Sequence, residues 1–258
     1  MRFASIGSGS DGNGLVVEAG SGTSSTRVLL DCGFSMREAT RRLARLGLAP
    51  DDLNAILVTH EHKDHIGGTF SLARKYRLPV YMSWGTAQAT GAADAKIDLH
   101  VVEADERLAI GDIEARPFTV PHDAREPLQF TFSDGERLLG VLTDVGVGTT
   151  HISAILQRCD ALILECNHDR EMLRTGRYPA MLKARIGGTH GHLANDAAAA
   201  ILSGLDQTAL RHVVAAHLSA ENNQAALAQQ ALGVALGSVA RDVLVAGQEE
   251  GFDWLGLG

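Results

Sequence analysis

Apolar runs broken by glycine open the chain. RFASIG (2–7), LVVEAG (15–20) and TRVLLDCG (26–33) flank the polar, glycine-rich turn SGSDGNG (8–14). Short runs of this kind predict successive strands of one sheet. Ser35 then precedes MREATRRLARL (36–46), with Glu38 three residues on, Leu43 and Leu46 on one face and Gly47 as the stop. That pattern predicts a capped helix. AILVT (55–59) reads as a short buried strand, GGTFSLARKY (67–76) as a helix and LPVYMS (78–83) as a strand, followed by short strands and turns to about Arg116. LQFTFSDGERLLGVLTD (128–144) predicts a hairpin turning at Asp134-Gly135. ALILEC (161–166), HVVAAHL (212–218) and DVLVA (242–246) predict strands, the last of them the final one. NDAAAAILSGL (195–205), with Asn195 as N-cap, and NQAALAQQALGVAL (223–236) predict helices. Strands lead and helices follow, twice over. The order suits an α/β (α+β) chain forming one domain over 1–258, with two sheets face to face and helices outside, a four-layer αββα sandwich. A plain layered α/β fold fits the same order.

Composition narrows the class. The 258 residues are 45% apolar and 21% charged, ordinary for a globular protein with a sizeable core. No apolar run is long enough to span a membrane. The opening MRFASIGSGS has no basic region followed by an apolar one, so a cytoplasmic location is expected. Cys32, Cys159 and Cys166 are few, odd in number and without a CxxC pair, and read as buried small apolar residues. A net charge of −8 argues against non-specific coating of nucleic acid; it leaves room for a nuclease with a local basic strip and bound cations. Eleven histidines are the unusual feature.

Four potential ligands fall within six residues of VTHEHKDHIGG (58–68): His60, His62, Asp64 and His65. Imidazole and carboxylate bind zinc and harder divalent ions. Residues two apart in an extended segment point the same way, so His60 and His62 can face one ion, with Asp64 and His65 facing a second. Two such ions can hold a hydroxide between them and clamp a displacement reaction. More ligand types follow other apolar runs: His122 in FTVPHDA, Asp144 in GVLTDVG and His217 in VVAAHLS. Each alone reads as a structural histidine or a turn aspartate. Together they supply seven ligands for two ions, at strand ends where sites collect in layered folds.

This set resembles the metallo-β-lactamase superfamily, whose hallmark is HxHxDH followed by a His, an Asp and a final His. The resemblance spans nearly the whole chain and implies the αββα sandwich. It implies that His60, His62 and His122 hold a first metal, that Asp64, His65 and His217 hold a second, and that Asp144 bridges. Within the superfamily, SGSDGN (8–13), ECNHDREMLRTGRYPAMLKARI (165–186), GHLAND (191–196) and HLSAENN (217–223) resemble the WalJ (YycJ) branch. That is a bacterial cytoplasmic group for which exonuclease action on DNA is implied; Ala194 stands where the branch usually has Ser.

Two divalent ions, zinc or manganese with iron also admissible, and a nucleic acid substrate, DNA first, are therefore expected. No membrane and no stable protein partner are expected. Asp64, besides binding metal, is expected to orient the attacking hydroxide. His168 and His192 are candidates to protonate the leaving oxygen, against roles orienting a ligand or capping a helix. Asn167 and Asn222 are candidate substrate contacts, and Asn223 reads as a cap. Arg170, Arg174, Arg177, Lys183 and Arg185, with Tyr178, form a basic segment suited to a phosphate backbone, or to a solvated helix face. The alternative activity is hydrolysis of a small ester, thioester or lactone, glyoxalase-like, at the same metals. A purely structural metal site fits poorly, because such sites close around one ion.

Overall fold

The computed structural model describes residues 1–20, 24–237 and 242–258. Two seven-stranded sheets dominate it. The first contains β1 (Arg2–Gly7), β2 (Gly14–Ala19), β3 (Thr26–Leu30), β4 (Ala55–Leu57), β5 (Pro79–Met82), β6 (Asp98–Val101) and, beside β1, β14 (Phe252–Gly256). The second contains β7 (Leu108–Ile110), β8 (Ile113–Thr119), β9 (Leu128–Ser133), β10 (Leu138–Leu142), β11 (Ala161–Glu165), β12 (His212–Ala216) and β13 (Val243–Val245) in spatial order.

Side-chain alternation settles the layering. Val28 and Leu30 of β3 enter a core that also holds Phe130, Phe132 and Ile163 of the other sheet, whereas Leu29 between them faces Leu43 and Leu72. In β11, Ala161 and Ile163 face the inter-sheet core, and Leu162 and Leu164 face Ile152, Leu202 and Leu232. Successive residues of a strand point to opposite faces, so both faces of each sheet are buried. The result is three apolar cores and four layers. Helices α1 (Met36–Arg45), α2 (Lys63–Ile66), α3 (Thr69–Tyr76) and α4 (Trp84–Thr90) follow strands of the first sheet. Helices α5 (Thr150–Ile155), α6 (Arg170–Thr175), α7 (Ala180–Ile186), α8 (Asn195–Ser203) and α9 (Ala225–Ala235) belong to the second half. No helix among the described residues is long and apolar enough to cross a membrane.

Most expected elements are present, but α5 lies where none is expected, Gln224 rather than Asn223 is the N-cap of α9, and further differences have local causes. Ser35 Oγ caps α1 by accepting from Glu38 N at 3.3 Å, but the Glu38 carboxylate binds Arg41 and Arg42 instead of returning to the cap. Helix α4 occupies a stretch where only strands and turns are expected; Ser83 caps it, accepting from Thr86 N at 3.1 Å. Asn195 is not the cap of α8. Ala194 takes that position, and the Asn195 amide pairs reciprocally with Asn223, both bonds 2.9 Å. DVLVA is not the final strand either: FDWLG (252–256) returns to the first sheet and pairs antiparallel with β1. Its half-exposed edge position gives it no continuous apolar run.

Strand direction places the site. β3 and β4 run parallel, as do β10, β11 and β12, and β8 shares their direction because it is antiparallel to β9, as β10 is. The C-terminal ends of these six strands gather at one edge of the sandwich.

Candidate metal centre

Each candidate site residue sits at or just beyond one of those ends. Asp31 follows β3, Thr59 and His60 follow β4, His62 to His65 lead into α2, His122 follows β8, Asp144 follows β10, Glu165 closes β11 and His217 follows β12. Asp31, Asp144 and His217 take left-handed backbone, with φ of 61°, 50° and 55°. That costs a residue with a Cβ about 1–2 kcal/mol. Such strain persists where the surrounding structure imposes it, and it collects at functional sites.

The ligand atoms of His60, His62 and His122 lie within 4.8 Å of one another, and those of Asp64, His65 and His217 do the same. Asp144 stands between the two triads, 3.2 Å from His65 Nε2, 3.6 Å from His217 Nδ1 and 3.8 Å from His122 Nε2. Four of the imidazoles are fixed through Nδ1. His65 Nδ1 donates to Asp31 at 2.8 Å, His217 Nδ1 to Glu165 at 3.1 Å and His122 Nδ1 to the Gly191 carbonyl at 3.0 Å. Thr59 Oγ1 gives its one proton to Asp31 at 2.9 Å, so at 2.9 Å from His60 Nδ1 it accepts. All four rings therefore present Nε2 inward, as histidine ligands held by outer partners do.

The donor set fits divalent cations. His60 Nε2 and His217 Nε2 are buried with no hydrogen-bond partner, and Asp144 Oδ2 has none despite its closeness to His65. Leaving a buried polar atom unpaired costs about 1–3 kcal/mol. Three such atoms converging among imidazoles and carboxylates are what bound cations satisfy.

Electrostatics divide the triads. Burial pushes the His60 and His122 imidazoles down, and for His60 the neighbouring His65 adds to the push, so these rings are neutral. Burial also opposes charge on His65 and His217, but Asp144 and Asp31 lift His65 well above its ordinary range, and Asp144, Asp64 and Glu165 lift His217 to about 10. Burial raises Asp144 and Glu165, yet the imidazolium partners win: Asp144 is held well below the carboxylate range and Glu165 at about 2. In the metal-free protein, protons thus balance the carboxylates of the second triad. The stability this gives through His217 is full below pH 6.5 and is lost as pH rises through about 10. Metal binding there displaces protons, so its affinity should rise about tenfold per pH unit for each proton released. Chelator competition at pH 6, 7 and 8 should show metal affinity rising steeply with pH; an affinity independent of pH would contradict the protonated state of His65 and His217 in the metal-free protein.

The glycine-rich turn after β1 braces the ligand loop. Asn13 N donates to the Asp64 carbonyl at 2.7 Å, the Asn13 amide lies 3.0 Å from His65 Nε2, and Ser8 Oγ accepts from His217 N at 2.9 Å. Gly33 is required by contact: a Cβ there would lie 1.8 Å from the Asp64 carbonyl oxygen.

An open cleft of about 390 Å³ lies over the cluster, lined by His62, Asp64, Asp144, His192 and His217 and walled by Lys63, Tyr178 and Arg185. His192 Nδ1 is 2.7 Å from Glu165, which leaves Nε2 for the cleft. Burial opposes its charge, but Glu165 and Asp144 raise the ring above its ordinary value. Asn167 also lines the cleft while donating to the His217 carbonyl at 3.0 Å.

Other expected site residues lie elsewhere. His168 and Lys183 line a separate groove, and Asn222 is buried behind the wall with its amide 3.4 Å from Ser219 Oγ. Most of the basic segment carries its own counterions: Arg170 pairs with Asp196, Arg174 with Glu171, Arg177 with Glu221 and Arg185 with Asp123. Asp31 and Thr59 are site residues that the motif reading does not name, and Asn13 and Glu165 lie in stretches that carry the branch resemblance without a role assigned to them. Glu165 had a visible signal, a charge within the apolar run ALILEC. The three cysteines are free and buried.

Comparison with known proteins agrees with this geometry. Residues 26–233 match the family model for the beta-lactamase superfamily domain. The chain is 36% identical over 239 residues to the exodeoxyribonuclease YycJ of Bacillus anthracis, covering 92% of this chain and 89% of that protein. It is 37% identical over 238 residues to the exodeoxyribonuclease WalJ of Streptococcus pneumoniae, covering 90% and 87%. The metallo-beta-lactamase fold protein YhfI of Bacillus subtilis superposes with a TM-score of 0.76 at 15% identity, covering 98% of each chain. With two helix-flanked sheets, a histidine–aspartate cluster at their shared edge and a family match over most of its length, the chain belongs to the metallo-β-lactamase superfamily of metal-dependent hydrolases.

Proposed function

We propose that the protein is a nuclease-type phosphodiesterase that works with two divalent ions, with DNA as its substrate. The observation that carries the reading is His192 on the cleft wall, its Nδ1 2.7 Å from buried Glu165 and its other nitrogen available beside the ligand cluster. A sugar alkoxide is a poor leaving group and needs a proton; a thiolate does not. A positioned, charge-supported imidazole therefore suits a phosphodiester better than a thioester. The relatives named exodeoxyribonucleases support the same reading.

In this account His60, His62 and His122 hold one ion, Asp64, His65 and His217 hold the other, and Asp144 faces both. The ions supply Lewis acidity and lower the pKa of bound water; zinc, manganese and iron all suit imidazole mixed with carboxylate. Asp64, partly open to the cleft, has an oxygen with which to orient the attacking water. Glu165 keeps the His192 ring aligned and charged, and His192 Nε2 gives its proton to the departing oxygen. Tyr178 and Arg185 line the approach of the strand. Arg185 is tied to Asp123, and exposed pairs of this kind are worth about 0–1 kcal/mol, so a phosphate can take over the guanidinium at little cost.

His192→Ala should retain the metals and lower kcat by about 10²–10⁴-fold on an oligonucleotide. On a nitrophenyl phosphodiester, whose leaving group needs no proton, the loss should be far smaller. Parallel assays with metal quantification check this. Equal losses on both substrates would remove the proton-donor role.

A further inference from the structure

Helix α7 has two working faces. Leu182, Arg185 and Ile186 line the metal cleft, whereas Ala180, Lys183 and Ala184, with Gly187 after the helix end, line a second groove. The three- and four-residue spacing on each side is that of opposite helix faces. The floor divides likewise: Asn167 lines the cleft, and its neighbour His168 lines the groove. His168 is only 1% exposed and its Nδ1 has no hydrogen-bond partner, so a buried polar ring lines a groove whose apolar side is Leu173, Ala180 and Ala184. Burial also pulls this imidazole down to about 4, which keeps it neutral, with one donor and one acceptor nitrogen. The rim is cationic. Lys183 Nζ donates to the Arg174 carbonyl at 2.8 Å and has no carboxylate in ion-pair range among the described residues. Arg170 and Arg174 are paired only with exposed Asp196 and Glu171.

We propose that this groove is a nucleobase subsite, a deepening of the nuclease reading on which it rests. It takes one base of the substrate strand near the scissile phosphate. The base faces lie against Leu173 and Ala184, its edge bonds to His168, and the adjoining phosphate meets Lys183 at the rim. A neutral ring beside Leu173, Ala180 and Ala184 suits a flat heterocycle with mixed donors and acceptors, and the cations along the same groove, Arg170, Arg174 and Lys183, suit the phosphate attached to it. The groove, about 480 Å³, lies within the roughly 300–1,000 Å³ typical of small-ligand sites.

The test couples a strand change to a protein change. Single abasic nucleotides are placed in turn along a short single-stranded oligonucleotide, and KM and kcat are measured for the wild type and for Ala184→Phe, which fills the groove from an exposed helix face. With the wild type, one abasic position should raise KM about tenfold with kcat little changed. Ala184→Phe should raise KM for the intact strand by a similar factor and be insensitive to that abasic position. Additive effects, or no effect of Ala184→Phe on KM, would overturn the subsite while leaving the nuclease reading intact. Failure of the wild type to cut any oligonucleotide, with a nitrophenyl phosphodiester still turned over, would overturn both.

Discussion

Asp144→Asn should remove metal and activity together, with kcat/KM on DNA falling by at least about 10³-fold, which is about 4 kcal/mol of transition-state stabilisation. Asp144 is buried and lies within 3.8 Å of nitrogens of His65, His122, His192 and His217. Its carboxylate groups with His60 and His65 on one side and with His217 on the other. The amide keeps the shape and removes the charge, so both sites lose their common anion. The metal-free protein should suffer as well. His65 and His217 hold their protons largely because of Asp144, and breaking a buried ion pair from one side costs about 3–5 kcal/mol unless the remaining charges neutralise. The variant's metal-free form should therefore lose the high-pH titration of His217. Metal quantification beside a thermal melt measures both effects, and a variant that kept two metals per chain would contradict the bridging position.

Glu165→Gln should have the second-largest effect, although Glu165 is absent from the HxHxDH pattern. Its carboxylate meets His192 Nδ1 at 2.7 Å and His217 Nδ1 at 3.1 Å and accepts from the backbone N–H groups of Val145 at 3.0 Å and Leu193 at 3.2 Å. One side chain thus aligns His217, a proposed metal ligand, and His192, the proposed proton donor. Outer partners of this kind are worth about 10–100-fold in metal affinity or activity, so losing both alignments should cost at least as much kcat as His192→Ala and also weaken metal binding. There is a linked pH effect. Glu165 is held at about 2 against an ordinary 4.5, so its contribution to folding is present above pH 4.5 and is lost as pH falls toward 2. The variant should lose that segment of the acid-unfolding curve. An unchanged curve with unchanged metal affinity would show that the carboxylate is not acting as a charge.

The clustered histidines and aspartates are legible in the sequence; the residues that support them mostly are not. His60, His62, Asp64, His65, His122, Asp144 and His217 were readable because ligand residues stand where apolar runs stop, and a local run of four is rare. Asp31 obeys the same rule, following VLL, yet without a histidine beside it the residue reads as an ordinary turn aspartate. Thr59, Asn13 and Ser8 act through bonds that long-range contacts create; SGSDGN is a recognisable stretch, but its spacing does not reveal those bonds. The layering became readable only through which residues of β3 and β11 face which core; a list of strands and helices leaves one sheet or two equally open. The basic segment illustrates the opposite error of scale. Five cations in sixteen residues suggest a strip for phosphate, but the fold sends Arg185 to the metal cleft and Arg170, Arg174 and Lys183 to a separate groove, and brings carboxylates to four of the five. The same geometry moves His168 out of the metal cleft, although it follows a buried strand as the ligands do.

The most direct measurement is release of label from end-labelled DNA by purified protein of known metal content, with Asp144→Asn prepared in parallel and a nitrophenyl phosphodiester and a thioester as companion substrates. Two divalent ions per chain are expected, with labelled nucleotides released by the wild type and none by the variant. Two bound ions with turnover of the thioester and no cleavage of DNA would contradict the nuclease reading.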